Sequence, residues 1–440
     1  MQSTNKALAR SISVVAQPWT YRGEGGANLV IALSDEKSVL RFAKSKFVDK
    51  DVDGKIGEIA YFANTVMRPR LGSLFIRPLE IRIVDDLDFH NVRESVQPLR
   101  PPARLKKDMK SKKVIMSHDC TFLTPEYERN TQGDTISFEI KPKQGWHSLK
   151  ASCSVDLCHR CLKQYAKLHK GEITSISKYC PLDLFSCDPL RMKRAIFDLF
   201  EFPCNRFKVF RNGGLIYTEN IGTAPDVENE LSQWLELDPH DSDAVDLMAA
   251  LLCTALLSPL EETKEIDVME SLVSLDVSDS DRGQFCDTKS DPLPPNCILQ
   301  RLLALQRQTE IGDNEAQIIC DRLLNNIEDI EGLHQLVMWH PNNKLEHKLS
   351  PSEIEDVLQL QRFLLSVTAK DVSLLLTFRE IQDLSQETFE HPVLHFRSVD
   401  KSFRLMLSVI DMDPKSVHRI SSWVKRKESW LNAYFSSLKD

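Results

Sequence analysis

The sequence predicts an α+β fold in two lobes, a smaller β-rich N-lobe and a larger C-lobe that mixes helices and strands. Three observations support this. Strand-like runs are dense before residue 116, and the pattern over 225–335 is mostly helical. Between them, a proline-punctuated basic loop at 98–113 leads into the strand-like run 114–119, which suits a hinge. We therefore place the N-lobe at 1–116 and the C-lobe at 117–440.

The N-lobe pattern is a glycine-rich loop between two strands. Residues 12–16 and 28–33 read as the flanking strands, and 38–42 as a third strand. A strand after the loop, where a dinucleotide-binding fold has a helix, disfavours that fold. Backbone N–H groups can approach phosphates closely at glycines, although an ordinary hairpin turn would use the same residues. The candidate nucleotide-binding residues here are Gly23, Glu24, Gly25, Gly26 and Asn28.

The C-lobe pattern combines strands with longer helices. Asn212-Gly213 predicts a hairpin turn, and the acidic, serine-rich segment 274–295 predicts a mobile surface loop. The remaining predicted elements are a strand at 135–140 and helices at 157–169, 189–200 and 352–366.

Composition excludes some classes of protein. No apolar run reaches the roughly 18 residues of a membrane span, so we expect no membrane partner. The eleven cysteines are an odd number and suit a reducing compartment, the cytosol or the nucleus. The net charge is −8, yet residues 93–113 carry eight basic side chains against two acidic ones. A local cationic field on an acidic protein favours a focused anionic ligand over nucleic acid. We expect a monomer.

Two acidic residues stand at the ends of apolar runs. Asp371 follows Thr368-Ala369-Lys370 and precedes a buried strand, and Asp411 ends another strand. Together with a glycine loop, two separated carboxylates are the minimum equipment for phosphoryl transfer. One carboxylate takes the proton of the acceptor hydroxyl, and the other holds Mg²⁺.

Six sequence blocks resemble the inositol-pentakisphosphate 2-kinase family, and they appear in the family's order over about 19–425. The blocks are Arg22-Gly23-Glu24-Gly25, Glu139-Ile140-Lys141-Pro142-Lys143-Gln144-Gly145, Ser177-Lys178-Tyr179-Cys180-Pro181-Leu182-Asp183-Leu184-Phe185-Ser186, Phe207-Lys208-Val209-Phe210-Arg211-Asn212-Gly213, Asp329-Ile330-Glu331-Gly332 and Thr368-Ala369-Lys370-Asp371.

The resemblance implies a two-lobed inositol phosphate kinase fold, distantly like that of protein kinases. It implies transfer of the ATP γ-phosphate to the 2-hydroxyl of inositol 1,3,4,5,6-pentakisphosphate, which gives inositol hexakisphosphate (phytate). An alternative is an inositol-phosphate-binding protein with weak or no turnover, against which the intact Asp371 and Asp411 argue. A protein kinase is disfavoured because the His-Arg-Asp and Asp-Phe-Gly motifs are absent from the sequence.

The resemblance also assigns catalytic and nucleotide-binding roles. Asp371 would be the catalytic base and a possible second Mg²⁺ ligand, although it could instead cap a strand. Asp411 would hold Mg²⁺, and Lys141 would contact the transferring phosphate. Arg41 would hold ATP phosphates, unless it is a surface residue of its strand. From the order of the lobes we place adenine contacts at Ser117, His118 and Asp119.

Substrate phosphates would be bound by cations from separated segments. Lys163 and Lys167 lie one helical turn apart, and Lys415, Arg419 and Trp423 are predicted on one helix face. The sequence departs from the family at Lys163, where a His is usual, and at Arg206, where an Asn is usual. The other substrate-binding candidates are Lys141, Lys143, Asn205, Lys208 and, from the N-lobe loop, Arg104 together with Arg100.

Zinc is a further possibility. Cys158 and Cys161 have zinc-knuckle spacing, although two unligated thiols would give the same pattern and a second pair would be needed for a strong prediction. Plant relatives build a zinc site from Cys and His after the Asp-Ile-Glu-Gly block. Here that region keeps His334, His340 and His347 without a cysteine, so we do not expect a plant-type site.

Overall fold

The computed structural model divides the chain into two compact units, Met1–Phe122 and Leu123–Asp440. The division lies shortly after the boundary expected at residue 116. Each unit contains a mixed β-sheet with helices, so the fold is α+β. The residues that the structure describes are 10–14, 17–45, 52–147, 155, 157–204, 206–238, 244–275, 277, 289–339 and 349–437.

The sheet of the first unit has the strand order β1-β5-β6-β4-β3-β2. The pair β1 and β5 is parallel, and the other neighbours are antiparallel. Its strands are β1 Arg10–Ile12, β2 Trp19–Glu24, β3 Asn28–Leu33, β4 Ser38–Ser45, β5 Glu80–Val84 and β6 Asp108–His118.

Two predictions for this unit were wrong. The strand that leads into the glycine loop is β2, not 12–16, because Trp19 and Tyr21 pack on the core and pair with Leu33 and Ile31 of β3. The basic loop ends before Asp108, since β6 begins there. Buried and exposed positions alternate at the start of β6, where Met109 is buried. The sequence did not indicate this alternation because lysines dominate the segment.

The helices of the first unit lie beside this sheet. Val52 and Ile56 of α1 form a buried cluster with Ile115 of β6, and the side chain of Asp85 caps α3 by accepting from the Asp88 N–H. The helices are α1 Val52–Tyr61, a π-helical segment Phe62–Met67, α2 Arg68–Leu71, α3 Asp86–Val96 and the 3₁₀ turns Gln97–Leu99 and Pro102–Arg104.

The sheet of the second unit has the order β10-β12-β13-β11-β7-β8-β9. Only the pairing of β10 with β12 is parallel among its described strands. The predicted strand at 135–140 and the Asn212-Gly213 hairpin are confirmed. The strands are β7 Thr131–Ile140, β8 Phe207–Arg211, β9 Gly214–Tyr217, β10 Glu265–Asp267, β11 Ser373–Ile381, β12 Val393–Phe396 and β13 Lys401–Ile410.

Helices form the rest of the second unit, and the predicted helices at 157–169, 189–200 and 352–366 are confirmed. Helix α13 begins with a capping box of Ser350 and Glu353. The helices are α4 His159–His169, α5 Pro181–Leu184, α6 Pro189–Glu201, α7 Ala224–Leu235, α8 Ala244–Leu257, α9 Glu270–Val273, α10 Ile298–Gln306, α11 Asp313–Leu323, α12 Ile330–Val337, α13 Pro351–Ala369 and α14 Ile420–Ser437, with 3₁₀ turns at Leu384–Gln386, Arg397–Val399 and Val417–Arg419.

Two further expectations concern the acidic loop at 274–295 and membrane-spanning helices. Most of the acidic segment predicted as a loop, 276 and 278–288, lies outside the described residues. Among the residues that are described, no helix combines the length and the apolar character that a bilayer span requires.

Candidate functional site

Four adjacent strands of the second unit end at the same edge of the sheet. Ile140, the last residue of β7, pairs with Leu374 of β11 and with Phe207, the first residue of β8. Ser373, the first residue of β11, pairs with Ile410, the last of β13. The residues just beyond these ends are therefore brought together, although they are far apart in sequence. They include Lys141, Arg206, Asp371 and Asp411.

Asp371 lies between two lysines. Lys143 Nζ is 2.7 Å from Asp371 Oδ1, and Lys415 Nζ is 2.6 Å from Asp371 Oδ2. Partial burial would raise the pKa of Asp371, but the charges of Lys143 and Lys415 outweigh it and hold the pKa well below its usual range. Burial in turn lowers the pKa of Lys143 to about 8, although Asp371 opposes the shift. Asp371 is therefore an ionised carboxylate at neutral pH.

Asp411 pairs with the other lysine of the strand end. Lys141 Nζ lies 2.7 Å from Asp411 Oδ2. Burial lowers the pKa of Lys141, but the negative charges of Asp411 and Glu139 outweigh it and leave the pKa above its ordinary value. Lys141 is thus a permanent cation. The carboxylate of Asp411 is about half exposed, 49% of its side-chain surface, so it is accessible to a ligand.

A buried acid, Glu139, connects the strands beneath these pairs. Its carboxylate accepts from Ser373 Oγ at 2.9 Å and from Lys208 Nζ at 2.6 Å. Ser373 Oγ is also 3.3 Å from Asp411 Oδ2. Lys208, a predicted substrate ligand, therefore lies at the site, where its ammonium group forms an ion pair with Glu139. Sequence reasoning missed Glu139 as a site residue; the available signal was an acid one residue before the end of the strand that leads into Lys141 and Lys143.

The loop that carries Lys141 and Lys143 is held on several sides. The Tyr179 hydroxyl donates to the Pro142 carbonyl at 2.9 Å. Gly145 lies against the Phe185 ring so closely that a Cβ atom would be 2.3 Å from it, so a larger residue does not fit. Lys143 has a left-handed backbone, with φ of 65°. Because non-glycine residues avoid this region, the surrounding contacts must hold it there.

Further cations surround this edge of the sheet. Burial and the nearby charges of Arg206 and Lys167 lower the pKa of Lys163, and Asp371 opposes the shift. Burial and the charge of Arg160 similarly lower the pKa of Arg206. The Nε atom of Arg206 is buried and has no hydrogen-bond partner among the residues that the structure describes. Crowded cations of this kind favour binding of an anion.

Sequence reasoning treated Arg206 as a departure from the family rather than as a site residue. Its backbone carbonyl accepts from the Lys141 N–H at 2.9 Å, which extends the pairing of β7 and β8. The signal was its position directly before β8. The predicted ligand Asn205 lies outside the described residues.

The other predicted substrate ligands are placed differently. Lys167 Nζ is 3.9 Å from Glu172, and Arg419 is exposed. The prediction of one helix face for Lys415, Arg419 and Trp423 was wrong. Lys415 precedes the 3₁₀ turn, which Ser416 caps, so it does not lie on a helix. Trp423 packs near Phe363, with ring centroids 6.1 Å apart; its binding role stays a prediction.

The glycine loop of the first unit joins β2 and β3. The Gly25 N–H donates to the Asn28 carbonyl at 2.9 Å, and Gly23 has φ of 141°, a conformation that favours glycine. Arg104, a predicted substrate ligand, lies beside this loop. A Cβ atom placed on Gly26 would be 3.8 Å from Arg104 Nη1. A phosphate-binding role of the loop and of Arg104 is compatible with this arrangement.

Glu24, Lys44 and Arg100 form a buried ionic triad under the glycine loop. Glu24 pairs with Lys44, and Arg100 Nε donates to Glu24 Oε1 at 2.9 Å. The three side chains are at most 1% exposed. Burial would raise the pKa of Glu24, but hydrogen bonds from Arg100 and Lys44 outweigh it and lower the pKa. The triad supports the loop, and Arg100, which was predicted as a substrate ligand, is buried in this triad.

The predicted adenine contacts lie at the end of β6. Ser117 and His118 pair with Val39 and Ser38 of β4, and Asp119 forms an ion pair with Arg22. Arg41 is on β4, where it pairs with Val30 and Ile115. Nucleotide binding by these residues stays a prediction.

Three thiols meet at the start of α4. The sulfur atoms of Cys158, Cys161 and Cys180 lie within 4.8 Å of one another. Cys158 Sγ accepts from the Cys161 N–H at 3.4 Å and is 3.9 Å from Cys180 Sγ. Zn–S bonds of about 2.3 Å set tetrahedral thiolates about 3.8 Å apart. The three thiols offer three of the four ligands that a structural zinc site needs, and Cys180 is the candidate that Cys-x-x-Cys spacing alone does not include.

A second group combines Glu331, His334 and His418, whose ligand atoms also lie within 4.8 Å of one another. His418 Nε2 is 3.3 Å from Glu331 Oε2. His340 and His347 lie outside the described residues.

Comparisons with known proteins cover nearly the whole chain. A sequence model described as inositol-pentakisphosphate 2-kinase matches residues 21–429. The chain is 25% identical to the inositol-pentakisphosphate 2-kinase of Danio rerio, over 95% of this chain and 93% of that protein. It is 24% identical to the protein of the same name from Arabidopsis thaliana, over 95% and 93% of the two chains. The chain therefore belongs to the inositol-pentakisphosphate 2-kinase family, and it is a phosphotransferase.

Proposed function

We propose that the protein transfers the γ-phosphate of ATP to the 2-hydroxyl of inositol 1,3,4,5,6-pentakisphosphate and produces inositol hexakisphosphate. The observation that carries this proposal is the meeting of Asp371 and Asp411 at one edge of the sheet, each paired with lysines. An acceptor with five phosphates needs many cations, because each phosphate must be offset by its own Lys or Arg. Lys163 and Arg206 add to this supply.

Asp371 is the proposed base. It is ionised at neutral pH and can accept the proton of the 2-hydroxyl as that oxygen attacks the γ-phosphate. Its two oxygens accept from Lys143 and Lys415, 2.7 and 2.6 Å away. Substrate phosphates would compete for the same lysines. Binding of substrate thereby frees the carboxylate.

ATP and two metals complete the proposal. The glycine loop, Arg41 and residues 117–119 of the first unit would hold the nucleotide, in a two-lobed arrangement distantly like that of protein kinases. Asp411, with Asp371 as a possible second ligand, offers the oxygen donors that Mg²⁺ prefers. Mg²⁺ would offset phosphate charge during transfer. Zinc would sit on Cys158, Cys161 and Cys180, whose soft thiolates suit it. We propose a monomer in the cytosol or nucleus.

The test is incubation of the purified protein with labelled ATP, Mg²⁺ and a panel of inositol phosphates, followed by identification of the hydroxyl that gains the label. Label on the 2-hydroxyl of the pentakisphosphate is expected. One alternative is a binding protein with weak turnover, which the occupied oxygens of Asp371 favour. It predicts tight binding of the pentakisphosphate in calorimetry without labelled product. Label on another hydroxyl would refute the proposed regiochemistry.

A further inference from the structure

We propose that Gln306, at the end of α10, is a positioning residue for catalysis, which holds the backbones behind Lys143 and Asp371 in register. The inference rests on the proposed function and adds to it a residue that contacts neither substrate nor nucleotide. Gln306 is fully buried. It lies on a helix that none of the six family-like sequence blocks includes.

The Gln306 side chain bonds to both segments of the site. Its Nε2 donates to the Lys143 carbonyl at 2.8 Å and to the Ala369 carbonyl at 3.3 Å. Its Oε1 accepts from the Gly145 N–H at 2.8 Å. The backbone carbonyl of Gln306 accepts from Ser366 Oγ at 2.6 Å, which fixes α10 against α13. One amide thus connects the 143–145 loop with the helix end that precedes Asp371.

These bonds fall where the backbone needs support. Lys143 is held in the left-handed region, with φ of 65°, which non-glycine residues avoid. The Gln306 bonds to the Lys143 carbonyl and the Gly145 N–H fix the backbone directly after this residue. The Phe185 ring closes the other side of the loop at Gly145. Without the amide, buried carbonyl and N–H groups would lose their partners, and the loop would have to move to reach water.

The expected consequence is kinetic as well as structural. Lys143 Nζ and Asp371 Oδ1 are 2.7 Å apart, and both are attached to the backbones that Gln306 joins. Displacements of about 1 Å in a site can reduce turnover about 100-fold. A side chain that merely filled the core would instead affect stability alone.

The test compares Gln306→Met, which keeps the length of the side chain but removes its hydrogen bonds, with a matched control at the other end of β7. Asn130, like Gln306, bonds to backbone groups through its side-chain amide. Its Nδ2 donates to the Asp383 carbonyl at 2.8 Å, and its Oδ1 accepts from the Asp383 N–H at 3.2 Å. Its φ is 55°, so Asn130→Leu removes comparable bonds and adds strain. Gln306→Glu is a second variant, which retains the acceptor for Gly145 if Gln306→Met does not fold.

Turnover with ATP and inositol pentakisphosphate, and hydrogen exchange of the peptides that contain Gly145 and Asp371, are measured for each variant. We expect kcat to fall about 10- to 100-fold in the Gln306 variants. KM for ATP should stay within about twofold of the wild type. Exchange should be faster in those two peptides, whereas Asn130→Leu changes neither. The inference would be overturned if Gln306→Met and Asn130→Leu lost kcat equally at equal stability. It would also be overturned if hydrogen exchange of the Gly145 peptide were the same in the Gln306 variants as in the wild type. A wild type without turnover would refute the proposed function instead, and the exchange data would still test the placement of the loop.

Discussion

Lys141 Nζ lies 2.7 Å from Asp411 Oδ2, although 270 positions separate the two residues in the chain. The next lysine of the same loop, Lys143, makes the equivalent contact with Asp371. Each carboxylate of the proposed phosphoryl-transfer site is therefore neutralised by a lysine. A polyanionic substrate would compete with the two carboxylates for these lysines, and the carboxylate charges released in this way would then have to be offset by Mg²⁺.

Replacement of Asp371 by Asn tests its role as the base. The substitution keeps the shape but removes the proton acceptor, so kcat should fall about 10²- to 10⁴-fold. Affinity for the pentakisphosphate, measured by calorimetry, should be retained, because the substitution removes a negative charge that would repel the substrate phosphates. Asp413→Asn, two residues beyond Asp411, is the control. A comparable loss of turnover in the control, with Asp371→Asn still active, would overturn the assignment.

Replacement of Arg206 by Asn, the residue usual in the family, tests the anion site. Loss of a charge-assisted hydrogen bond to phosphate is worth about 1.5–3 kcal/mol, or roughly 10- to 100-fold in affinity. KM for the pentakisphosphate should therefore rise, with little change in kcat. Arg379→Asn is the matched control, since Arg379 lies near the other end of β11, where it pairs with Glu128. Equal effects of the two variants would count against a binding role for Arg206.

Zinc analysis tests the thiol cluster. The purified protein is expected to contain about one equivalent of zinc, and Cys158→Ala should lose it. Cys320→Ala removes another buried thiol, on α11, and should retain the metal. Elemental analysis measures the content, and the absorption of a cobalt-substituted sample reports thiolate ligands. Zinc-free wild-type protein, or a disulfide between two of the three cysteines detected by mass spectrometry, would exclude the site.

The Glu24 triad predicts a pH dependence of stability. The pKa of Glu24 is lower in the folded protein than its ordinary value of 4.5. A carboxylate with a lowered folded-state pKa stabilises the fold above its unfolded pKa, and this contribution is lost as the pH falls through the folded value. The free energy of unfolding of the first unit should therefore decrease below about pH 4.5.

Urea unfolding at a series of pH values measures this effect, with Glu24→Gln as the variant. The variant leaves Lys44 and Arg100 buried without their carboxylate, so it should lose about 3 kcal/mol at neutral pH and show a flatter acid dependence. Glu94→Gln, at an exposed pair with His90, is the control and should match the wild type. A Glu24→Gln variant as stable as this control would show that the triad contributes nothing.

The sequence predicted the parts of the site that lie at strand ends. Asp371, Asp411 and Lys141 each follow or precede an apolar run, a local pattern that indicates their position. Their partners depend on strand order, which local patterns do not contain. Arg100 was expected to bind substrate from the basic loop, but it pairs with Glu24, which is 76 positions away. The helix face expected for Lys415 failed because i, i+4 spacing was extended backwards from Arg419 past Ser416, the residue that caps the 3₁₀ turn, where the chain is not yet helical.

Buried polar residues were the hardest to foresee. Glu139 follows the strand alternation of a solvent-facing residue, yet Ser373 and Lys208 cover it. Gln306 ends an ordinary amphipathic helix. Its proposed positioning role depends on hydrogen bonds to the loop at Lys143 and to the end of α13 at Ala369, which are distant from it in sequence. Such residues become recognisable when the tertiary hydrogen bonds are known.

The backbone of Asp411 is left-handed, with φ of 62°. Among residues with a Cβ atom, Asp and Asn tolerate this conformation best, so the position imposes a conformational filter before any chemical one. A Glu there would keep the charge but distort the chain, whereas an Asn would keep the chain and remove the charge. Sequences with Asn at this position would thus mark relatives that keep the architecture but lack the proposed Mg²⁺ ligand.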